Sequence, residues 1–180
     1  MKVAIQGELG SFSEAAARQL AGPSITLVHC ERFDDLFDAV SSGRARLGVV
    51  PVHNAIAGLV YDNRARAASP PFRVLGELLL PVRQCLVARP GVTREAVVRV
   101  ASHAVALAQC ARFLAGPPSC VPVPVADTAG GVRDLMRGTL AADAVIAAQA
   151  AAERYGAVVL VRGVEDNPQN FTLFQLIGTA

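Results

Sequence analysis

A threonine near the C-terminus is the first residue whose type and position suggest chemistry. Thr172 lies between Phe171 and Leu173, in a run rich in strand-forming residues that follows the turn residues Asn167-Pro168. A hydroxyl between two large apolar side chains needs a hydrogen-bond partner. The run predicts a terminal strand tied into a sheet, with the N-terminal strand Lys2–Gln6 as its expected neighbour. An ordinary strand threonine packed in a sheet is the alternative that this stretch leaves open.

A glycine-containing turn follows the first predicted strand and opens a helix. In Gly7–Ser13 the glycines let the backbone turn with its N–H groups exposed, and the helix N-terminus attracts anions. The turn lacks both the Gly-Lys-Ser/Thr of a phosphate-binding loop and the Gly-x-Gly-x-x-Gly of a dinucleotide-binding loop. A plain strand-to-helix turn, with Ser11 or Ser13 as the helix cap, is the competing interpretation.

Polar residues also follow the short, continuously apolar strand predicted over Arg46–Val52. His53 and Asn54 come directly after it. Ligands of open α/β sheets bind beyond the carboxyl ends of the strands, so both side chains are candidate ligand contacts. A solvated histidine and a turn-capping asparagine are the alternative. Three further polar residues stand where later strands give way to helices: Ser102, Asp127 and Thr128.

These residues are positioned by strands and helices that alternate along the whole chain. Alternation predicts a three-layer α/β fold with mostly parallel sheets. Two chain crossings, near Gly76–Pro81 and Glu165–Asn170, divide it into two lobes. We expect one lobe to comprise residues 1–78 with 166–180 and the other residues 79–165. The polar strand ends would then converge on a cleft between the lobes.

Composition narrows the class of protein. The 180 residues are 52% hydrophobic and 18% charged, which is typical of a globular chain. The net charge of +2 gives no support for a nucleic-acid or membrane-surface partner. Four cysteines without metal-ligand spacing indicate thiols in a reducing compartment and no metal site. With no apparent signal peptide or membrane-spanning run, we expect a cytoplasmic protein.

The motifs taken in order resemble prephenate dehydratase along almost the whole chain. Gly7-Glu8-Leu9-Gly10-Ser11-Phe12-Ser13 is similar to the family's opening Gly-x-x-Gly-Thr-Phe-Ser, and Pro51-Val52-His53-Asn54-Ala55 to its Pro-Ile-Glu-Asn-Ser. Further motifs follow in the family's order: Ser102-His103, Gln109-Cys110, Asp127-Thr128-Ala129 and Asn170-Phe171-Thr172-Leu173-Phe174. The resemblance implies a fold like the type II periplasmic binding proteins. It also implies conversion of prephenate to phenylpyruvate, water and carbon dioxide in phenylalanine biosynthesis.

The resemblance assigns roles to individual residues. Thr172 would help the ring hydroxyl depart, with Asn54 as the second catalytic residue, and no cofactor or metal is implied. The prephenate dicarboxylate would be bound by helix N-termini and by a larger set: Gly10, Ser11, Phe12, Ser13, His53, Ala55, Ser102, Thr128, Ala129, Phe171, Leu173 and Phe174. A homodimer is expected on the same basis. Because the chain ends soon after the last motif, no ACT regulatory domain is expected.

Four positions depart from the family pattern. Leu173 replaces an arginine, His53 a glutamate, Ala55 a serine or threonine, and Val105 a glutamine. An arginine that anchors a carboxylate contributes charge-assisted hydrogen bonds that leucine cannot supply. Three functions therefore stay open: a prephenate dehydratase, a related prephenate decarboxylase that retains the hydroxyl, and a protein that only binds a small anion.

Overall fold

The computed structural model describes residues 1–179, which form two compact units. Unit 1 contains Met1–Gly7, Phe12–Val82 and, of the described C-terminal residues, 169–179. Unit 2 contains Glu8–Ser11 and Arg83–Pro168. The short segment Glu8–Ser11 thus packs with unit 2, although the strand before it and the helix after it belong to unit 1.

Unit 1 is built from strands that carry the apolar runs of the sequence and from three helices. Its strands are β1 (Lys2–Gln6), β2 (Thr26–Cys30), β3 (Leu47–Asn54), β4 (Gly58–Leu59), β5 (Phe72–Pro81) and β11 (Phe171–Thr179). Its helices are α1 (Phe12–Ala21), α2 (Phe33–Ser41) and α3 (Asn63–Ala67). The strand order is β2-β1-β3-β11-β5, and β4 pairs with β3.

The terminal strand does not pair with the N-terminal strand, so that expectation is wrong. β11 runs antiparallel between β3 and β5. Both edges of β1 are already occupied by parallel partners, β2 and β3, which leaves no edge for β11. As a result, the start of β11 lies beside the carboxyl end of β3, and Thr172 is in register with Asn54.

Unit 2 has a second sheet in the order β10-β6-β9-β7-β8. Its strands are β6 (Cys85–Ala88), β7 (Arg99–Ser102), β8 (Val121–Pro124), β9 (Ala144–Ala147) and β10 (Val158–Arg162). Its helices are α4 (Ala104–Ala108), α5 (Ala111–Ala115), α6 (Thr128–Arg137) and α7 (Gln149–Tyr155). β8, with its alternating prolines, is an edge strand, since proline cannot donate to a second neighbour.

The sheets are mixed rather than mostly parallel. Within residues 1–179, four strand pairings are parallel and five are antiparallel. Of the antiparallel pairings, one is the short β3–β4 pair, and the other four involve β11 in unit 1 or β6 in unit 2. These strands enter the sheets next to the chain crossings, where no strand-helix-strand repeat constrains their direction.

Each sheet of the fold is covered by helices on both faces. In unit 1, Phe174 and Leu176 of β11 pack with Ala16 of α1, whereas Leu173 and Ile177 pack with the α2 side. In unit 2, one apolar cluster contains residues of α6 and α7 and the other contains residues of α4 and α5. The three-layer α/β architecture is therefore present in both units. No helix within residues 1–179 is long and apolar enough to cross a membrane.

Candidate active site

Two adjacent strands of unit 1 bring Thr172 and Asn54 together across more than a hundred residues of sequence. The antiparallel register sets the two residues opposite one another, and Asn54 Nδ2 donates to Thr172 Oγ1 at 2.9 Å. Both residues are 8% exposed. Because β3 ends at Asn54 and β11 begins at Phe171, the pair lies at the edge of the sheet where ligands bind in open α/β folds.

Asn54 makes a dense set of hydrogen bonds in addition to the one with Thr172. Its Nδ2 also donates to Asn170 Oδ1 at 2.8 Å and to the Phe171 carbonyl at 3.2 Å. Its Oδ1 accepts from the backbone N–H groups of Ile56 at 3.0 Å and Ala57 at 2.8 Å. The side chain therefore joins the turn after β3 to the entry of β11.

Asn170 is a member of this network that the sequence analysis did not select. The residue is 0% exposed, and its backbone carbonyl accepts from the N–H of Val82 at 2.8 Å. The available signal was its place two residues before Thr172, where a buried polar side chain must find a partner. The pairing with Asn54 could not be read from spacing alone, because the two are 116 positions apart.

Other predicted site residues of unit 1 surround the network. His53 is in register with Leu173 of β11, and the N–H of Ala55 donates to the Phe171 carbonyl at 2.8 Å. Leu173 packs against the core cluster on the α2 side. Phe174 is 2% exposed within the opposite cluster, so its position fits a core residue. Its assignment to substrate binding stays a prediction.

The predicted anion-binding turn is shared between the two units. Phe12 and Ser13 begin α1 in unit 1, whereas Gly10 and Ser11 belong to unit 2. Gly10 has φ +82°, and a Cβ there would lie 2.5 Å from Ala151 Cα. Only glycine therefore allows this close approach to the first turn of α7.

An ion-pair cluster fixes the beginning of that turn within unit 2. Arg133 of α6 forms salt bridges with Glu8 and with Asp134. Hydrogen bonds to Asp134 and Glu8 raise the pKa of the Arg133 guanidinium further above its usual range. Burial raises the pKa of the neighbouring Tyr155 hydroxyl, and the negative charge of Glu8 adds to the effect.

The strand-end residues of unit 2 mainly satisfy the backbone. Ser102, at the end of β7, is 0% exposed, and its Oγ donates to the Ile146 carbonyl at 2.7 Å. Asp127 Oδ1 caps α6 by accepting from the Gly130 N–H at 2.6 Å. Thr128 is the first residue of that helix, and Ala129 is 1% exposed in the core. Their roles in substrate binding stay predictions.

A separate cavity in unit 1, of about 230 Å³, was not anticipated from the sequence. Gln6 and Glu31, at the ends of β1 and β2, line it together with Arg32, Asp34 and Arg66. Asp34 accepts from Arg66 at 2.6 Å and from Arg32 at 2.8 Å. These hydrogen bonds, with that from Arg66 the larger influence, lower the pKa of the Asp34 carboxyl. The carboxylate thus already pairs with both guanidinium groups of the cavity wall.

No group of three or more histidine, cysteine, aspartate or glutamate side chains among residues 1–179 is arranged to hold a metal ion. All four cysteines, Cys30, Cys85, Cys110 and Cys120, are buried free thiols. Burial is the main cause that raises the pKa of Cys110 to about 12, which keeps this thiol protonated. The candidate site is therefore a set of hydroxyl, amide and backbone groups.

Comparison with known proteins agrees with the motifs. The sequence profile of the prephenate dehydratase family matches residues 3–180. Arogenate dehydratase 1 of Petunia hybrida is 36% identical over 178 residues, which are 98% of this chain and 42% of that protein. A bifunctional N-acyl-homoserine lactone acylase/prephenate dehydratase of Komagataeibacter europaeus is 34% identical over 174 residues, covering 97% and 61%.

A solved structure gives the same result for the fold. The crystal structure of prephenate dehydratase in complex with L-Phe from Arthrobacter aurescens superposes with a TM-score of 0.92 at 29% identity, covering 100% of this chain and 61% of that one. The fold class that the motifs implied is therefore confirmed. The chain spans 42% of the Petunia protein and 61% of the Komagataeibacter protein. By its profile match, its sequence identity and its fold, the chain belongs to the prephenate dehydratase family.

Proposed function

We propose that this chain is a prephenate dehydratase, which converts prephenate to phenylpyruvate, carbon dioxide and water. The observation that carries the proposal is the hydrogen bond from Asn54 Nδ2 to Thr172 Oγ1 at 2.9 Å. It makes the threonine oxygen an acceptor of an N–H group and leaves the hydroxyl proton to be donated to another molecule. A buried hydroxyl held in this way suits a reaction in which a hydroxyl must leave.

The reaction requires little beyond positioning and one proton. The C–C bond to the ring carboxylate breaks and releases carbon dioxide, and its electron pair enters the ring. The C–O bond breaks at the opposite ring carbon, and the departing oxygen takes the Thr172 proton to leave as water. The Thr172 oxygen then recovers a proton from solvent. Aromatisation drives the step, and general acid catalysis of this kind contributes roughly 10²- to 10⁴-fold.

The substrate carboxylates need partners that Leu173 does not supply. We propose that backbone N–H groups at the start of α1, near Phe12 and Ser13, hold one of them. Helix N-termini carry partial positive charge and unsatisfied N–H groups, which favours anions without a cofactor. Several relatives are named arogenate dehydratases, and arogenate differs from prephenate in the side chain opposite the ring hydroxyl. Binding of a carboxylate by backbone N–H groups is compatible with either substrate.

A second candidate function is supported by one relative. The Komagataeibacter protein is named an N-acyl-homoserine lactone acylase as well as a prephenate dehydratase. Acyl transfer needs a nucleophile beside a general base. In the part of the chain that the structure describes, Thr172 Oγ1 is hydrogen-bonded to the amide of Asn54, which is not a base. The geometry therefore favours the dehydratase.

One set of assays separates these functions. The protein is incubated separately with prephenate, arogenate and an N-acyl-homoserine lactone, and products are identified by ultraviolet spectra and mass spectrometry. Phenylpyruvate, with its strong enol absorbance in alkali, supports the proposal. Phenylalanine from arogenate would identify an arogenate dehydratase, and a decarboxylated diene would identify a decarboxylase. Homoserine lactone release would identify an acylase, and an unchanged substrate in all three assays would leave only a binding role.

We also propose a cytoplasmic homodimer. The four buried thiols fit a reducing compartment, and the dimer is expected from the family resemblance. Sedimentation equilibrium at micromolar concentration measures the assembly, and a monomer mass at all concentrations would contradict it.

A further inference from the structure

We propose that Asn54 and Asn170 are positioning residues that fix the direction of the Thr172 hydroxyl proton. In this assignment Asn54 acts through Thr172 and does not itself contact the substrate, and Asn170 holds the Asn54 amide in its working orientation. The inference rests on the proposed dehydratase function, since it explains how Thr172 is prepared to protonate a departing hydroxyl.

The Asn54 side chain uses its full hydrogen-bonding capacity. A side-chain amide has two N–H donors and one oxygen with two acceptor sites. Asn54 Nδ2 lies within 3.2 Å of three oxygen acceptors, from Asn170, Phe171 and Thr172. Its Oδ1 accepts two backbone N–H groups, those of Ile56 and Ala57. The donors and the acceptor sites are thus committed within the protein.

These contacts permit only one orientation of the Asn54 amide. Rotation by 180° would place Asn54 Oδ1 against three oxygens and its NH₂ group against the two backbone N–H donors of Ile56 and Ala57. The Thr172 hydroxyl and the Asn170 amide could turn to donate to that oxygen, but the contacts with the Phe171 carbonyl and with the Ile56 and Ala57 N–H groups would become repulsive together. These three partners are backbone groups in or beside buried structure, where an unmet polar group costs most. The side chain is therefore an obligate donor toward Thr172.

Asn170 provides the acceptor that completes this arrangement. Its Oδ1 receives Asn54 Nδ2 at 2.8 Å, the shortest of the three contacts to that nitrogen. The residue is 0% exposed, and its carbonyl is bonded to Val82 N–H of the neighbouring chain segment. Asn170 is thereby anchored through its backbone, and its side chain supplies a fixed oxygen to the amide of Asn54.

The fixed Asn54 amide determines the direction in which the Thr172 hydroxyl proton points. Its Oγ1 accepts an N–H from Asn54, and within residues 1–179 this is the only hydrogen bond that Thr172 Oγ1 makes. The hydroxyl proton is not shared with Asn54 and is available to a bound molecule. A donor oriented before the substrate arrives needs no reorganisation during the reaction, which is the basis of electrostatic preorganisation.

The decisive variant is Asn54→Asp, which keeps the size of the side chain and changes its hydrogen-bonding capacity. An aspartate retains the oxygen for Ile56 and Ala57 but places its second oxygen against three acceptors. That oxygen either accepts a hydrogen bond from the Thr172 hydroxyl, which turns the proton away from the substrate, or becomes protonated itself. We expect kcat near neutral pH to fall about 100-fold, the scale of lost general acid catalysis, with KM changed less than about threefold. We also expect kcat to recover partly as the pH is lowered, because the protonated acid regains one donor.

Asn63→Asp is the matched control. Asn63 is also 0% exposed and also in unit 1, and its Nδ2 donates to the Pro51 carbonyl at 2.9 Å without contacting Thr172. We expect a loss of stability comparable to that of Asn54→Asp, but an unchanged kcat and pH profile. If both variants show the same change in kcat and the same pH profile, the effect is structural and the proposal is overturned.

Two substitutions at Asn170 test the second residue. Asn170→Asp keeps an acceptor for Asn54, whereas Asn170→Leu removes it. We expect Asn170→Leu to lower kcat about tenfold more than Asn170→Asp does, with similar KM values, as for loss of one supporting hydrogen bond of a catalytic group. Equal kcat values for the two, with both proteins folded by circular dichroism, would overturn the role of Asn170.

A measurement without turnover separates this inference from the proposed function. If the wild type converts none of the tested substrates, the proposed function fails and the orientation is read from the Asn54 side-chain amide signals by NMR. We expect both amide protons to exchange slowly with solvent, and one of them to shift upfield in Thr172→Val, which lacks the acceptor oxygen. Unshifted amide signals would overturn the orientation. An active wild type, with an Asn54→Asp variant of unaltered kcat and pH profile, would overturn the inference alone.

Discussion

The polar residues at the strand ends of the two units are used in different ways. In unit 1, Asn54, Asn170 and Thr172 bond to one another across neighbouring chain segments. In unit 2, Ser102 and Asp127 bond to backbone groups, closing a strand contact and capping a helix. Asn54 also bonds to backbone groups, but unlike Ser102 and Asp127 it donates to a second functional side chain, Thr172, whose hydroxyl proton we propose is left for another molecule. The difference predicts that unit 1 substitutions change rates and unit 2 substitutions change stability.

The two units also differ in where their charge lies. In unit 2, Arg133 joins Glu8 of the glycine turn to Asp134 of its own helix. The Asn54–Thr172 network of unit 1 is made of neutral groups, and the family arginine that would have followed Thr172 is Leu173, packed against the core. Because the Asn54 and Thr172 side chains are neutral, they can be buried and oriented by hydrogen bonds without the desolvation cost of a charge.

The largest expected effect is that of Thr172→Ala in unit 1. Removal of the hydroxyl should lower kcat by about 10²- to 10⁴-fold, the range of general acid catalysis. The melting temperature should stay nearly unchanged, because Asn54 Nδ2 keeps its acceptors at Asn170 and Phe171. Steady-state kinetics with prephenate measure the effect, and Thr172→Ser, which keeps the hydroxyl, is the control. An alanine variant with more than about a tenth of the activity would contradict the acid role.

Leu173→Arg should act on stability although it lies beside the catalytic residue. Leu173 packs against the cluster that contains Leu36 and Phe37, so an arginine there places a charge against apolar side chains. We expect a loss of about 1–3 kcal/mol in the free energy of unfolding, and no gain in kcat/KM. Urea denaturation measures the loss, with Leu173→Met as the size-matched control. A gain in kcat/KM at unchanged stability would instead show that the site retains a place for the family arginine.

Asp127→Ala in unit 2 should remove the N-cap of α6. The carboxylate accepts from the Gly130 N–H, and loss of such a cap costs about 0.5–2 kcal/mol. Asp127→Asn preserves an accepting oxygen and should recover most of the stability. Thermal unfolding followed by circular dichroism compares the two variants. A large loss of kcat in both variants, with normal stability, would instead show that Asp127 takes part in catalysis.

Ser102→Ala is expected to have the smallest effect. The hydroxyl is wholly buried and donates to the Ile146 carbonyl, so its loss should cost about 0.5–1.5 kcal/mol. KM for prephenate should change less than twofold, because the side chain presents no surface to a ligand. The free energy of unfolding and KM are measured on the same preparation. Ser102→Thr, which keeps the hydroxyl and adds a methyl group, shows the effect of greater side-chain volume. A tenfold rise in KM at normal stability would show that Ser102 binds substrate, as the family resemblance implies.

The prediction from sequence succeeded where local chemistry decides the outcome. The apolar run over Arg46–Val52 predicted a strand that ends just before His53 and Asn54, and β3 ends two residues later, at Asn54. Local chemistry also explains α7 (Gln149–Tyr155), an alanine-rich helix that is closed by Gly156 with φ +72°. The order and spacing of the short motifs indicated the family, which the profile match over residues 3–180 confirms.

What the sequence determined by itself was the class of fold, the family and the identity of Thr172 and Asn54 as a candidate pair. Only the tertiary structure decided that β11 lies between β3 and β5, because strand pairing depends on which edges are already occupied. That choice brings Asn170 to Asn54 and gives the amide its direction. Hydrogen bonds between residues 116 positions apart have no local signature, since they form only when register and burial are set by the whole sheet.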